Sequence, residues 1–383
     1  MAKLRALAIL IMLTMILPCG CTQKNGADSN AFSDSRQITV GATDDHVRLI
    51  GRTCFVDDTT WLAQSGSAIE FEAEGTRVMV SLAAGDAVEN DVDHHPRFAI
   101  LVDGEVVLDS IMDEHSRDIA VFENDSPRHA IIQVMQLSEA DSGVVGVASI
   151  SIESSASSPI IPAEQKNLSI EFIGDSITCG YDVEASDDDG LFSTSDENFM
   201  KTYAYLAAQE LDADWSAICY SGHGLISGWS PDGVLNEDLL VPLLYDFVSK
   251  EYREPWSFTS HHYDIVVINL GCNDSNYVQS DKDHVDEFIA GYVDFLTHVR
   301  RLNPDSLIIC TAGMSLGHDI YPYVEQAVEI FKESTQDDRV SCYPFDDIED
   351  DAGYTSSHVH PNESVNRKCA DLLVSVIREE LGA

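Results

Sequence analysis

The chain has 383 residues, 44% of them apolar and 8% aromatic, which suits about two domains with real cores and excludes a disordered or fibrous chain. Its 66 acidic residues stand against 22 Lys and Arg, for a formal net charge of −44. That removes the basic footprint needed to hold nucleic acid or anionic lipid, and a content of 41 Asp against 8 Lys suits either salty surroundings or plain solubility.

In chain order, the first element is a targeting segment. Lys3 and Arg5 precede an apolar run from Ala6 to Leu17, too short to span a bilayer and of the length of a signal core. The run ends in Leu17-Pro18-Cys19-Gly20-Cys21, which resembles a bacterial lipobox with its Leu one place early. Residues 1–20 are therefore expected to be a lipoprotein signal peptide, with Cys21 lipidated; a plain secretory signal is the alternative. The corresponding location is an exported, cell-surface lipoprotein whose only membrane contact is its lipid anchor, or a secreted protein. Residues 21–37, small and polar, read as a tether. The cysteines past the signal are Cys54, Cys179, Cys219, Cys272, Cys310, Cys342 and Cys369, an odd number without a C-x-x-C pair. They signal neither zinc nor a disulfide framework, and buried free thiols are expected.

From about 38 to 154 the apolar period is two. Ala68–Ala73 alternates, and Thr76–Leu82 resumes after Glu74-Gly75. Phe98–Val102, Asp103-Gly104 and Glu105–Leu108 read as a hairpin, followed by Arg128–Met135 and Val144–Ile152. Short strands without helical stretches predict an antiparallel β-sandwich. His94-His95 has no carboxylate or Cys at ligand spacing and reads as an exposed loop pair. The Ser- and Pro-rich segment 155–166 reads as a linker.

From 167 to 383 strand and helix patterns alternate. Strands are predicted at Leu168–Ile173, Trp215–Tyr220, Asp264–Leu270, Ser306–Thr311 and Val340–Tyr343, and helices at Phe199–Leu211, Asp286–Leu302, Tyr321–Glu333 and Ser364–Leu381. That alternation predicts a parallel sheet covered on both faces, with its chemistry beyond the carboxyl ends of the strands.

Four motifs fall at those ends. The first strand runs into Gly174-Asp175-Ser176, which can expose a serine hydroxyl on a tight turn. The second ends in Tyr220-Ser221-Gly222-His223-Gly224, where a backbone N–H can approach a ligand closely. The third ends in Gly271-Cys272-Asn273-Asp274, whose amide can donate to a developing oxyanion. Before the closing helix stands His358-Val359-His360-Pro361-Asn362, a source of a general base. Each alone is compatible with ordinary turn structure; their shared place at strand ends is what points to a site. Asp175 reads as an acceptor that staples its own turn.

The four blocks resemble those of the SGNH (GDSL-type) hydrolases, over about 167–383. The resemblance implies a flavodoxin-like α/β domain with Ser176 as nucleophile and His360 as general base. It implies an oxyanion hole of the Ser176 N–H, the Gly222 N–H and the Asn273 amide, with neither metal nor organic cofactor. Residues Gly51–Leu82, followed by Ile100-Leu101-Val102-Asp103-Gly104, are similar to the N-terminal jelly-roll domain of carbohydrate esterase family 2. Those enzymes remove O-acetyl groups from plant polysaccharides, so the implied partner is an acetylated carbohydrate substrate. Where the last block usually carries an Asp, this chain has Ser357 and His358. The resemblance is then to members that use a Ser–His dyad, and Ser357, His358 or a backbone carbonyl is left to orient His360. The alternatives are another GDSL-type lipase or acylhydrolase, and a non-catalytic glycan-binding lipoprotein. The acidic stretch from Asp182 to Glu197 reads as a solvated loop at the mouth of the site, disfavouring anionic substrates. Trp229 and Trp256 are read as sugar platforms or as core.

Overall fold

Side-chain alternation in the first half builds one antiparallel sheet. In the computed structural model, which describes residues 35–185, 192–279, 281–314, 320–345 and 360–382, ten strands form it. They are β1 (Arg36–Val40), β2 (Arg48–Ile50), β3 (Thr53–Val56), β4 (Thr59–Leu62), β5 (Ala68–Ala83), β6 (Arg97–Val102), β7 (Glu105–Ile111), β8 (Ser116–Gln136), β9 (Gly146–Ser154) and β10 (Ile160–Pro162). The path is β3-β4-β9-β5-β8-β6-β7, with β1 on β9 and with β2 and β10 on β5. Phe71, Val78, Val80, Ile100, Ile132 and Ile150 are wholly buried in its core. The β6–β7 hairpin turns on Asp103 and Gly104, both at positive φ as a type I′ turn requires.

Three features differ from the sequence reading. β5 runs unbroken through Glu74-Gly75, because a register shift against β8 between Gly75 and Arg77 absorbs the irregularity. The tether and the linker are both shorter than read. Arg36 and Gln37 pair with Ser154 and Glu153, and Ile160–Pro162 pairs with Ala73–Phe71. Edge strands pair through main chain alone, so polar or Pro-rich composition does not exclude them.

The second half follows the predicted alternation closely. Its elements are β11 (Leu168–Gly174), α1 (Ser176–Cys179), α2 (Tyr203–Glu210), β12 (Ala213–Cys219), β13 (Ile265–Asn269), α3 (Ser275–Val278), α4 (Lys282–Leu302), β14 (Leu307–Ala312), α5 (Tyr321–Thr335), β15 (Val340–Pro344) and α6 (Glu363–Glu380). The five strands are all parallel, in the order β12-β11-β13-β14-β15. Alternate residues face opposite layers. Phe172 and Val267 pack with residues of α2 and α6, whereas Ile173, Val266 and Ile268 pack with α4 and α5. The strand order reverses between β11 and β13, and that is where a doubly wound sheet opens its ligand crevice.

The two halves share a core. Ile50, Ala68, Leu101 and Met135 of the first join Phe172, Tyr203 and Trp215 of the second, and residues 36–383 form one compact unit. Polar bonds cross the same surface. Gln64 Nε2 donates to Tyr220 Oη (2.6 Å), and Trp215 Nε1 donates to the Gly66 carbonyl (2.8 Å). Arg48 bridges Asp214 and Glu70. Arg52 and Glu171, both fully buried, form an ion pair at 2.8 Å. Among the described residues, no helix is long and apolar enough to cross a membrane.

Arg52→Met strands the Glu171 carboxylate in that interior. The expected cost is about 3–5 kcal/mol of unfolding free energy, read from urea denaturation. A loss below about 1 kcal/mol shows that the pair does not hold the halves together.

Candidate active site

β11 delivers its last residues to the crevice and the chain turns at once. Asp175 caps α1, its carboxylate accepting from the Ile177 N–H at 3.1 Å, so that Ser176 is the first helical residue. The other partner arrives from the opposite end of the sequence. Asn362 caps α6 by accepting from the Ser364 and Val365 N–H groups, and Asn366 donates to the Pro361 carbonyl at 3.1 Å. These bonds fix the backbone just after His360, which lies beside the serine. His360 Nε2 lies 2.9 Å from Ser176 Oγ across 184 residues of sequence. Burial pushes the His360 imidazole down to about 4, so the ring is neutral near pH 7 and able to take a proton.

The loop after β12 is fastened from two sides. Asp274, fully buried, accepts from the N–H groups of Leu225 (2.9 Å), Ile226 (2.7 Å) and Ser227 (2.9 Å). From the β-rich half, Glu139 accepts from the Ser221 N–H at 2.8 Å. Between these anchors Gly222 takes φ +74°, a left-handed backbone that favours glycine. Asn273, four residues past the end of β13, donates through Nδ2 to the His223 carbonyl at 2.9 Å and to Asp175 Oδ2 at 3.3 Å. Among the described residues, the N–H groups of Ser176 and Gly222 have no acceptor within the protein. Ser176, His360, Gly222 and Asn273 therefore meet at the switch point. A hydroxyl with a neutral base beside it and unclaimed donors nearby is an arrangement suited to acyl transfer.

The carboxylates beneath this surface are held towards their protonated forms. Burial, then the charge of Asp274, raises Asp175 to about 7, and burial raises Asp274 to about 6. Burial also pushes Glu139 and Glu197 upward.

Two family models match this chain. The GDSL-like lipase/acylhydrolase model matches residues 172–368, which contain all four of these residues. The chain belongs to that family. The carbohydrate esterase 2 N-terminal model matches residues 49–160. The cellulase/esterase CelE of Acetivibrio thermocellus is 33% identical over 227 residues, 58% of this chain but 26% of that protein, so the chain spans about a quarter of its length. An acetylxylan esterase/glucomannan deacetylase of Cellvibrio japonicus is 24% identical over 289 residues, 73% of this chain and 75% of the other. The solved family two carbohydrate esterase from Clostridium thermocellum in complex with cellohexaose superposes with a TM-score of 0.76 at 26% identity, covering 88% of this chain and 99% of that one.

Within this GDSL-like family member, several sequence readings shift. Asp175 does staple its turn. His95 is buried, with its Nε2 3.2 Å from the Asn90 carbonyl, and only His94 is exposed; the two are not an exposed pair. The acidic stretch is not simply solvated. Asp182 and Glu197 are buried, and Glu184 is held by Arg97 at 2.6 Å and Lys201 at 2.8 Å. Apolar-period reasoning misses such carboxylates, because their partners lie far away in sequence. Trp256 is core, packed against the Arg52 guanidinium, whereas Trp229 is 55% exposed and donates its backbone N–H to the Gly222 carbonyl at 2.8 Å. Among the described residues, none of the seven cysteines past the signal is in a disulfide. Cys21, Ser357 and His358 lie outside the described residues.

Asn273→Ala removes one donor from the crevice. On a small acyl ester kcat should fall ~10²–10³-fold while the melting temperature changes little. A kcat within threefold of wild type takes Asn273 out of the site.

Proposed function

We propose that this protein is a carbohydrate esterase that removes O-acetyl groups from polysaccharides or oligosaccharides. The observation that carries the reading is the 2.9 Å contact between Ser176 Oγ and a neutral His360 at the sheet's switch point, within a chain matched by both family models. In this reading the β-rich half is a jelly-roll sandwich, and the α/β half is a flavodoxin-like SGNH domain.

The reaction runs in two halves. Ser176 Oγ attacks the acetyl carbonyl carbon as its proton passes to His360 Nε2. The tetrahedral oxyanion is met by the N–H groups of Ser176 and Gly222 and by the Asn273 amide. The ester C–O bond breaks, and the sugar oxygen leaves with the proton from His360. Water then attacks the acetyl-serine, His360 takes its proton, and acetate departs as the proton returns to Ser176.

Two features favour a neutral sugar substrate. Trp229 is exposed beside the oxyanion loop, on the edge of an open depression of about 470 Å³ with Pro231, Asn236 and Glu237. An aromatic face with amide and carboxylate neighbours is suited to a pyranose ring. The net charge of −44 disfavours anionic chains and phospholipid.

Acetate release from acetylated xylan and glucomannan is the direct test. Release from neither, or p-nitrophenyl ester rates that rise with acyl length, overturns this reading in favour of a lipase. A base that must be neutral sets the pH dependence: kcat/KM should persist through pH 6 and fall with a midpoint near 4, where His360 gains its proton, not near the ~6.5 of an ordinary histidine. The proposed anchor at Cys21 predicts labelling by a palmitate analogue in a competent bacterium, lost in Cys21→Ala. Unlabelled wild-type protein overturns it.

A further inference from the structure

The four motifs leave unexplained one carboxylate that touches the base. Asp182 is buried, and its Oδ2 lies 3.9 Å from His360 Nδ1. Nδ1 is the ring nitrogen opposite the one that meets Ser176 Oγ.

Its position is built by the nucleophile turn itself. The Ser176 carbonyl accepts from both the Gly180 and the Tyr181 N–H, each at 3.0 Å, so the chain doubles back directly from the serine. Gly180 and Asp182 sit at φ +90° and +56°, and the Asp182 carbonyl closes the next turn by accepting from the Ala185 N–H at 2.9 Å. Two residues on, Glu184 is held by Arg97, Lys201 and Asn198. Asp182 is thus clamped between the nucleophile's own carbonyl and a three-partner anchor. The Tyr181 ring packs on the imidazole with centroids 4.6 Å apart, backed by Phe192 at 4.7 Å. Among the described residues, Ser176 meets one nitrogen of His360, Asp182 lies near the other and Tyr181 packs against the face. Glu139 and Glu197 stand beyond Tyr181, and burial pushes both towards protonation.

We propose that Asp182 is the positioning acid of this site: it orients His360 and stabilises the imidazolium that forms as Ser176 gives up its proton. The proposal rests on the reading of Ser176 and His360 as nucleophile and base. It places the acid just after the nucleophile in sequence, rather than just before the histidine. At 3.9 Å the contact exceeds hydrogen-bond length, so Asp182 acts through charge. The effect is therefore smaller than the ~10⁴-fold loss that follows when a directly bonded triad Asp becomes Asn.

Asp182→Asn is the deciding variant, since Asn tolerates the left-handed backbone as well as Asp and removes only the charge. On p-nitrophenyl acetate, kcat should fall ~10–100-fold with KM within about twofold, and Asp182→Glu should recover part of the loss. The charge-specific readout uses a fluorophosphonate, which forms a P–O bond to Ser176 Oγ with loss of fluoride and of the serine proton and leaves a neutral tetrahedral phosphonate adduct beside His360. In that adduct the His360 pKa, followed by ¹⁵N NMR, should be lower in Asp182→Asn than in wild type by about one unit or more, tenfold in the protonation equilibrium. An unchanged imidazole pKa overturns the proposal, whether or not kcat falls. If wild type releases no acetate from any glycan yet reacts with the fluorophosphonate, the substrate reading falls and the adduct titration still decides the role of Asp182. If Ser176 does not react at all, both fall.

Discussion

The structure depends on a cation and an anion buried where two sheets meet. Arg52 and Glu171 are each wholly inaccessible to solvent. Taking both charges out of water costs several kcal/mol per ion, so the arrangement stands only if nearly every polar atom finds a partner. Most do. The guanidinium donates to Glu171 and to the carbonyls of Tyr245 and Phe247, while Glu171 also accepts from Tyr245 Oη at 2.8 Å. Asn303 donates to that phenol at 2.8 Å, which extends the network to the end of α4. Tyr245, Trp256 and Phe258 surround the cation. Glu171 lies within β11, five residues before Ser176. The same bond that joins the halves therefore fixes the strand that leads into Ser176.

The β-rich half goes on to build part of the crevice. Glu139 holds the Ser221 N–H beside Gly222, and Gln64 holds the Tyr220 phenol at the start of the same loop. Arg97 holds Glu184 and, through the carbonyls of Ser195 and Glu197, the far side of the acidic stretch. A column of rings runs from His94 through Phe192 and Tyr181 to His360. The first half thus sets the backbone of the loop around Gly222 and helps to orient His360. An isolated α/β half would lack those restraints, which is a physical reason for the two halves to share one core.

The second half was largely legible in the sequence. Its strands are apolar on both faces, so each stands out as a continuous run, and its amphipathic helices carry a clear 3.6-residue period. Ser176, Gly222, Asn273 and His360 were legible because each follows a strand or precedes a helix at a recognisable block. The early part of β8 was not, since residues 116–127 are exposed or half-buried and carry no apolar period. β10 was hidden by Pro162 and by Pro159 just before it. Asp182 was hidden for another reason. Its link to His360 spans 178 positions and depends on the turn closed by the Ser176 carbonyl, which sequence spacing cannot register.

The acidity of the composition also misleads about the site. A net charge of −44 suggests a crevice crowded with anions, but the carboxylates beneath it are pulled the other way by burial. Asp175 and Asp274 are raised to about 7 and about 6, and Glu139 and Glu197 also move upward. A raised folded-state pKa means that the folded chain keeps protons the unfolded chain has already released. The stability that these two Asp contribute is present in full below about pH 4, and it is lost as pH rises through 6 and 7. His360 runs in the opposite sense, since burial lowers it and acid forces a charge into the interior. Between these limits His360 is neutral while Asp175 and Asp274 keep part of their protons. Charge-rich sequence covers the outside of this protein, while burial shifts Asp175 and Asp274 beneath the crevice towards protonation and leaves His360 neutral.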